Sequence, residues 1–335
     1  SAASDVYKRQ DKDKTLSAML RMAVIAQTQE RYEKAPVETD EQRAEKAALE
    51  GLVKQLFVEL KRDFKPSDLP PYTLVKLGMH LAGTSQPEES IAYFDEILDP
   101  SEPDPVRKKA RINGMSKYRK NAVFGKAVAL GRSKDNAKVD TAIKMMRDEL
   151  SKEESSSNPD RKAMEDAQYN LVKFTFARQD WPAVIAAADK YRENKTYKKN
   201  LPEVLYLQGE AYLKQNELDK ALINFMNITG TYKGLVKWSA PAVLAQMDTL
   251  WKRNTMSQGA GKQPSDRYVA WKAGSQYVQL LDTPANRKKM TAEDSALVNE
   301  VKDKTAKFGS DPAVSQERAD IAAYEAAVRA AKGQK

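Results

Sequence analysis

Between Pro202 and Thr229 apolar residues recur every three or four positions, pause once at Gln215-Asn216, and resume. Val204, Leu205, Gln208, Gly209, Ala211 and Tyr212 share one side of a predicted helix, with Glu203, Glu210 and Lys214 mostly on the other. A second helix presents Leu218, Ala221, Leu222, Phe225 and Ile228, the i, i+3, i+4, i+7 stripe of a helix facing a partner. Asn216 suits the left-handed conformation that ends a helix. The stretch is therefore expected to form a helical hairpin, with Gly209 and Ala221 as the small residues that let its two backbones approach.

The same pattern returns along the chain. Tyr72 to Leu98 places Gly78 and Ser90 twelve residues apart, as Gly209 and Ala221 are, and follows them with Ile91, Phe94 and Leu98. Ala163 to Tyr191 gives Leu171, Val172 and Thr175, then Trp181, Val184, Ile185 and Ala188, with Val172 and Val184 again twelve apart. These features resemble the tetratricopeptide repeat (TPR) family, whose unit is a helix hairpin of about 34 residues. Gly209 meets the family's small position in the first helix, Tyr212 its aromatic, Ala221 its second-helix alanine and Phe225 its second-helix aromatic. Leu205 stands where the family has its first aromatic, Gln208 stands where it has a leucine, and the closing proline is missing. The resemblance implies an all-α, TPR-like solenoid of stacked antiparallel hairpins. Within the family the chain is similar to bacterial envelope-associated members, which implies a periplasmic or cell-envelope location.

Other stretches are less regular. Helices are predicted over Lys14–Glu33, with Leu16, Met19, Leu20 and Ala23 on its apolar face, and over Gln42–Phe64, with Leu49, Leu52, Val53, Leu56, Phe57, Leu60 and Phe64. Val106 to Leu150 is helical but poorly phased; Gly114 is a candidate start for another repeat, and an insertion or a lengthened helix is expected between it and a second-helix candidate at Asp140–Leu150. Trp238–Arg253 is a further helix, and Arg267–Leu281, Ala292–Phe308 and Ser315–Ala331 form a C-terminal helical segment without the repeat signature. Polar stretches divide the chain into an N-terminal array at 11–150, a linker or long loop at 151–160, a second array at 161–255, a flexible linker at 256–266 and the segment 267–335. The opening string Ser1–Gln10 resembles the translation of a transposase sequencing adapter. It is expected to be non-native, with the true N-terminus missing and the chain drawn from environmental DNA.

Composition narrows the chemistry. The 335 residues include no cysteine and one histidine, His80, so zinc–thiolate sites and thiolate nucleophiles are excluded. No glycine-rich phosphate loop or set-apart carboxylate pair occurs, so neither enzyme nor cofactor is expected. No apolar run approaches the roughly 18–20 residues of a membrane span. The tryptophans Trp181, Trp238, Trp251 and Trp271, at helical spacing beside aliphatics, are expected to be packing residues.

Two function-bearing features remain. The groove made by the first helices of stacked hairpins would bind a protein or peptide partner, as solenoid grooves do. Asn170 sits where the family's carboxylate clamp has an asparagine, but Glu203 and Leu207 occupy the next clamp positions, so a clamp is not expected. The alternative is an anionic polymer, nucleic acid or envelope polymer, bound by a basic stretch within a chain of net charge +9. That stretch holds Arg107, Lys108, Lys109, Arg111, Lys117, Arg119, Lys120, Lys126, Arg132, Lys134 and Lys138 against the single acid Asp135. A non-enzymatic scaffold with a groove is the favoured reading.

Overall fold

Short polar side chains and prolines set the helix starts. Thr39 closes a capping box with Gln42, Asp104 accepts from the amides of Val106 and Arg107, and Asp135, Asp160, Asp180, Ser265 and Thr291 cap later helices in the same way. Gln179, Asn216 and Asn254 take the left-handed conformation as the chain leaves helices. The computed structural model describes residues 2–37, 39–84, 87–259 and 261–333, with side chains from residue 13 onward except at 40 and 333. The adapter-like string lies outside the residues whose side chains are described. Among the described residues every regular element is helical, and the chain divides into two compact units, Ser1–Arg178 and Gln179–Lys335.

The first unit holds α1 (Ala2–Lys34), α2 (Asp40–Asp63), α3 (Pro71–Ala82), α4 (Ile91–Leu98), α5 (Pro105–Met115), α6 (Arg119–Gly131), α7 (Asn136–Glu154) and α8 (Arg161–Ala177). α1 packs on α2, α3 on α4, α4 on α6, α6 on α7 and α7 on α8, so most helices lie against their neighbours in sequence. α5 contains Gly114 itself, so it lies before the place between Gly114 and Asp140 expected to hold an insertion or lengthened helix. It reaches the stack through few residues, among them Arg111 on Glu96 and the buried Met115. Phe57, Leu60, Leu74, Leu77, Phe94 and Ile97 fill the core of the first half, and Val139, Ala142, Met146 and Phe174 that of the second. Phe94 fixes the spacing of three helices. A methyl group on Gly78 of α3 would lie 2.8 Å from its ring, and one on Gly125 of α6 would lie 2.2 Å away, so only bare backbone fits on either side.

The second unit holds α9 (Trp181–Glu193), α10 (Leu201–Lys214), α11 (Leu218–Thr231), α12 (Val236–Arg253), α13 (Asp266–Leu281), the single turn α14 (Pro284–Arg287), α15 (Ala292–Gly309) and α16 (Pro312–Gly333). α10 packs on α9, α11 on α10, α12 on α11, α13 on α12 and α15 on α13, in a solenoid-like order. Phe225 repeats the role of Phe94: a methyl on Gly209 would meet its ring at 2.6 Å, and Leu205, Ala221, Ile228 and Ala242 surround it. Arg253 grips both oxygens of Asp266 at 2.6 and 2.8 Å and reaches Asp219 at 2.6 Å, joining the end of α12 to α11 and α13.

The structure changes several local expectations. On α1 the buried side is Ala18, Met22, Ile25 and Thr28, which pack towards α2, while Leu16, Met19, Leu20 and Ala23 face outward. Helical spacing identified the stripe, but α1 carries a second apolar stripe offset by two residues, and that one docks. On α2, Leu52 is exposed and the other predicted positions line the inner face. The position expected of Gly114 belongs to Gly125, because α5 displaces the register. Ser151–Asp160 connects α7 to α8 inside the first unit, and the boundary between the units falls later, between Arg178 and Gln179. The predicted hairpin Ala163–Tyr191 is therefore divided: α8 packs on α7, and α9 on α10. Val172 and Val184 are each fully buried in their own unit.

Candidate functional site

The basic stretch lies on α5, α6 and the start of α7, next to acids supplied by α4, the short turn before it, and the α7–α8 connection. Lys108 pairs with Asp99 at 2.7 Å, Lys126 with Asp95 at 2.6 Å and Lys138 with Glu88 at 2.7 Å. Lys120 pairs with Glu153 at 2.6 Å and Asp160 at 3.2 Å. Arg111 stands 3.1 Å from one oxygen of the buried Glu96, whose other oxygen accepts from Ser101. Arg119 donates to the Leu98 carbonyl at 3.2 Å, and Arg132 donates to the carbonyls of Ala82 and Thr84. Lys117 lies over the Tyr118 ring. Of the eleven cations, only Arg107, Lys109 and Lys134 have no partner among the described residues. The run of positive charge is thus largely a set of struts between helices. The acids were hard to match to it from the sequence because they come from segments up to fifty residues away.

The residues expected to pack the hairpins differ in burial. Gly78, Ser90, Phe94, Val172, Val184, Leu205, Gly209, Ala221 and Phe225 are buried, and Leu171, Trp181 and Tyr212 are half-buried. Gln208, the departure from leucine, is fully buried and polar. Its carbonyl accepts from Arg192 of α9 at 2.7 Å and its amide donates to Asp189 of α9 at 2.7 Å. Asn170 donates to the carbonyl of Asp166 on its own helix. The tryptophans pack: Trp251 stacks 3.9 Å from Phe308, and Trp271 carries the Arg318 guanidinium 4.1 Å above it. His80 stacks on Phe57 at 3.9 Å, and burial pushes its pKa down, with Lys54 adding to the effect.

One polar face of the second unit is different. α10, α12 and α15 lie side by side there. Tyr206 and Glu210 are one turn apart on α10 and so share a side. The Tyr206 ring is half-buried, 5.8 Å from Phe225 and 6.3 Å from Trp238 of α12. Glu210 is also half-buried, yet neither its carboxylate nor the Tyr206 hydroxyl has a hydrogen bond or ion pair among the described residues. Lys214 attracts Glu210 from the next turn without closing an ion pair. Across the face Lys304 of α15 is engaged by Asp248 of α12 at 2.5 Å.

The electrostatics follow from this arrangement. Burial pushes the Glu210 carboxyl up, Lys214 opposes that shift and Asp248 adds to it. Burial, followed by the charges of Glu210 and Glu300, pushes the Tyr206 phenol up to about 12. The face therefore sets the Tyr206 and Trp238 rings beside a carboxylate that has Lys214 near it but no ion pair among the described residues, with the charges of Asp248 and Glu300 close enough to be felt. Sequence reading placed Glu203, Glu210 and Lys214 mostly on the outer side of the first helix but had no means of showing that Trp238 packs by Tyr206 or that Asp248 and Glu300 come near.

A cavity of about 680 Å³ opens between the 254–265 loop and α16. The stretch expected to be a flexible linker is closed by Asp266 N bonding Thr255 O at 2.9 Å, and tied to α16 by Ser265 N donating to Glu317 at 2.8 Å. Tyr268, Tyr324, Met256 and Ile321 form its apolar walls, while Lys262 and Lys272 are matched by Asp320 and Glu325, so its charge selects neither sign. Among the described residues no group of three or more His, Asp or Glu side chains is placed to hold a metal ion, and no helix is long and apolar enough to cross a membrane. Comparisons with models of known protein families, with curated proteins and with solved structures find no match to this chain.

Proposed function

We propose that the chain is a non-enzymatic, TPR-like scaffold that binds an extended segment of a partner protein across the α10–α12–α15 face of its second unit. The observation that carries this reading is the Tyr206–Glu210 pair, half-buried polar groups left without intramolecular partners on a face made by successive helices. The two residues are half-buried while their polar tips stay within reach of solvent, so an incoming donor can pair with them directly. The repeat reading is supported by two matched hairpins. Gly78 precedes Phe94 by the same sixteen residues that separate Gly209 from Phe225, and in both the ring fills the space a methyl would take. Ser90 and Ala221, at the matching second-helix position, are both fully buried.

The polymer-binding alternative loses ground because most of the basic stretch is engaged within the protein. A library of displayed ten-residue peptides panned against the protein separates the two readings. Binders that persist in moderate salt and are lost on Tyr206→Ala support the groove. Binders indifferent to that change but abolished when Arg107, Lys109 and Lys134 are all replaced by glutamate would overturn it.

A further inference from the structure

The chemistry of this face specifies more than an extended segment. Resting on the reading above, we propose that the bound segment carries a lysine or arginine whose side chain crosses the Tyr206 ring and ends on the Glu210 carboxylate. Trp238 already carries the Lys237 ammonium 5.4 Å from its ring centroid, which leaves the neighbouring Tyr206 ring to draw a guanidinium or ammonium group from the ligand. One helical turn beyond the phenol, Glu210 supplies the acceptor that a cation needs at the end of that path.

The charges around it point the same way. Lys304, which would otherwise compete, is held by Asp248, and Lys214 stays outside pairing distance of Glu210. Glu300 adds a further negative charge from α15, close enough to act on Tyr206. With Asp248 paired to Lys304, an acidic ligand would meet Glu210 and Glu300 there, and a neutral one would leave Glu210 without an ion pair. The protein as a whole carries net charge +9, which repels a basic segment at long range. That repulsion is screened beyond about 8 Å in physiological salt, so selection is made at contact, by Glu210 and the Tyr206 ring.

The test uses the panned peptides and the full chain. Peptides dependent on Tyr206 are expected to share a lysine or arginine at one position. Replacing that residue by norleucine should weaken binding about tenfold or more, as should Glu210→Gln in the protein. Glu210→Lys panned afresh should select aspartate or glutamate at the same position. Thermal melts of both variants should match the parent, which separates a lost contact from lost structure. Tyr206-dependent peptides with no shared cation, bound equally well by Glu210→Gln, would overturn this inference and leave the groove standing. No Tyr206-dependent binder at all would remove both.

Discussion

Phe94 has bare backbone against its ring on two sides, Gly78 from α3 and Gly125 from α6, and the consequences can be measured one methyl at a time. Alanine favours a helix over glycine by about 1 kcal/mol, so in open space the exchange stabilises. At Gly51, on the outer side of α2, nothing lies within 4 Å of the added carbon, and Gly51→Ala should raise stability by about 0.5–1 kcal/mol. At Gly125 the carbon would lie 2.2 Å from the Phe94 ring, and Gly125→Ala should instead cost about 1–3 kcal/mol through overpacking. Urea unfolding of the two variants should show opposite shifts in midpoint with the same slope; stabilisation at both sites would contradict the packing described for Phe94. Only part of this was legible in advance. Gly78 and Phe94 follow the repeat interval and could be assigned, but Gly125 could not, since α5 moves it away from the interval that pointed to Gly114. Gln208 shows the other limit of residue reading. As a departure from leucine it looked like a weakness of the pattern, whereas in the fold it is a buried amide linking α10 to Arg192 and Asp189 of α9.

At the scale of elements, the clearest difference lies between the pattern of a helix and the face it uses. The helices were legible because their apolar periodicity is strong and their ends are marked by Asp, Ser, Thr, Pro and Asn. The docking face of α1 was not, since two apolar stripes compete and the choice is made by α2. Charge behaves similarly: local sequence shows eleven cations, and tertiary structure supplies their acids. Lys120 makes the case for a test. It joins α6 to Glu153 at the end of α7 and to Asp160, the cap of α8, and these partners raise its pKa. Exposed pairs contribute only about 0.2–1 kcal/mol, but Lys120→Glu also places a third carboxylate beside the two acids. A loss of about 1 kcal/mol is expected, lowering the melting temperature by roughly 2–4 °C, whereas Lys109→Glu, with no partner to lose, should shift it by far less. Equal effects of the two reversals would mean that the strut contributes nothing.

The molecule as a whole should respond to acid through carboxylates distributed over both units. Hydrogen bonds from Arg62 and then Arg21 hold Asp63 down to about 2, and Arg287 followed by Lys302 does the same for Asp282. Lys120 lowers Glu153; backbone amides and Lys120 lower Asp160. Burial pushes Asp266 up, but the bonds from Arg253 and Thr255 outweigh it and its pKa ends below the ordinary value. Carboxyls depressed in the folded state add stability above their unfolded pKa near 4 and lose it as pH falls towards the folded value. Glu210 has the opposite sign, since its raised pKa favours the folded state as it protonates. With Lys138 and Ser133 lowering Glu88 as well, and Glu210 alone of these groups opposing, melting temperature should fall as pH drops from about 4 to 2. A flat profile over that range, followed by circular dichroism, would show that these ion pairs do not stabilise the fold.

The way Phe94 is held has one further consequence, for where the chain can be altered. Its two glycines lie sixteen residues before it and thirty-one after it, yet both meet the same ring. Register in this array is thus keyed by a side chain in a slot and is indifferent to how much polypeptide runs between slots. Lengthening a surface connection costs little, about 0.6 kcal/mol for each doubling. The segment from Asp99 to Tyr118, which meets the stack chiefly through Arg111 on Glu96 and the buried Met115, is accordingly a natural splice junction, where a donor sequence that keeps those two anchors could be grafted while the slots on either side keep their key.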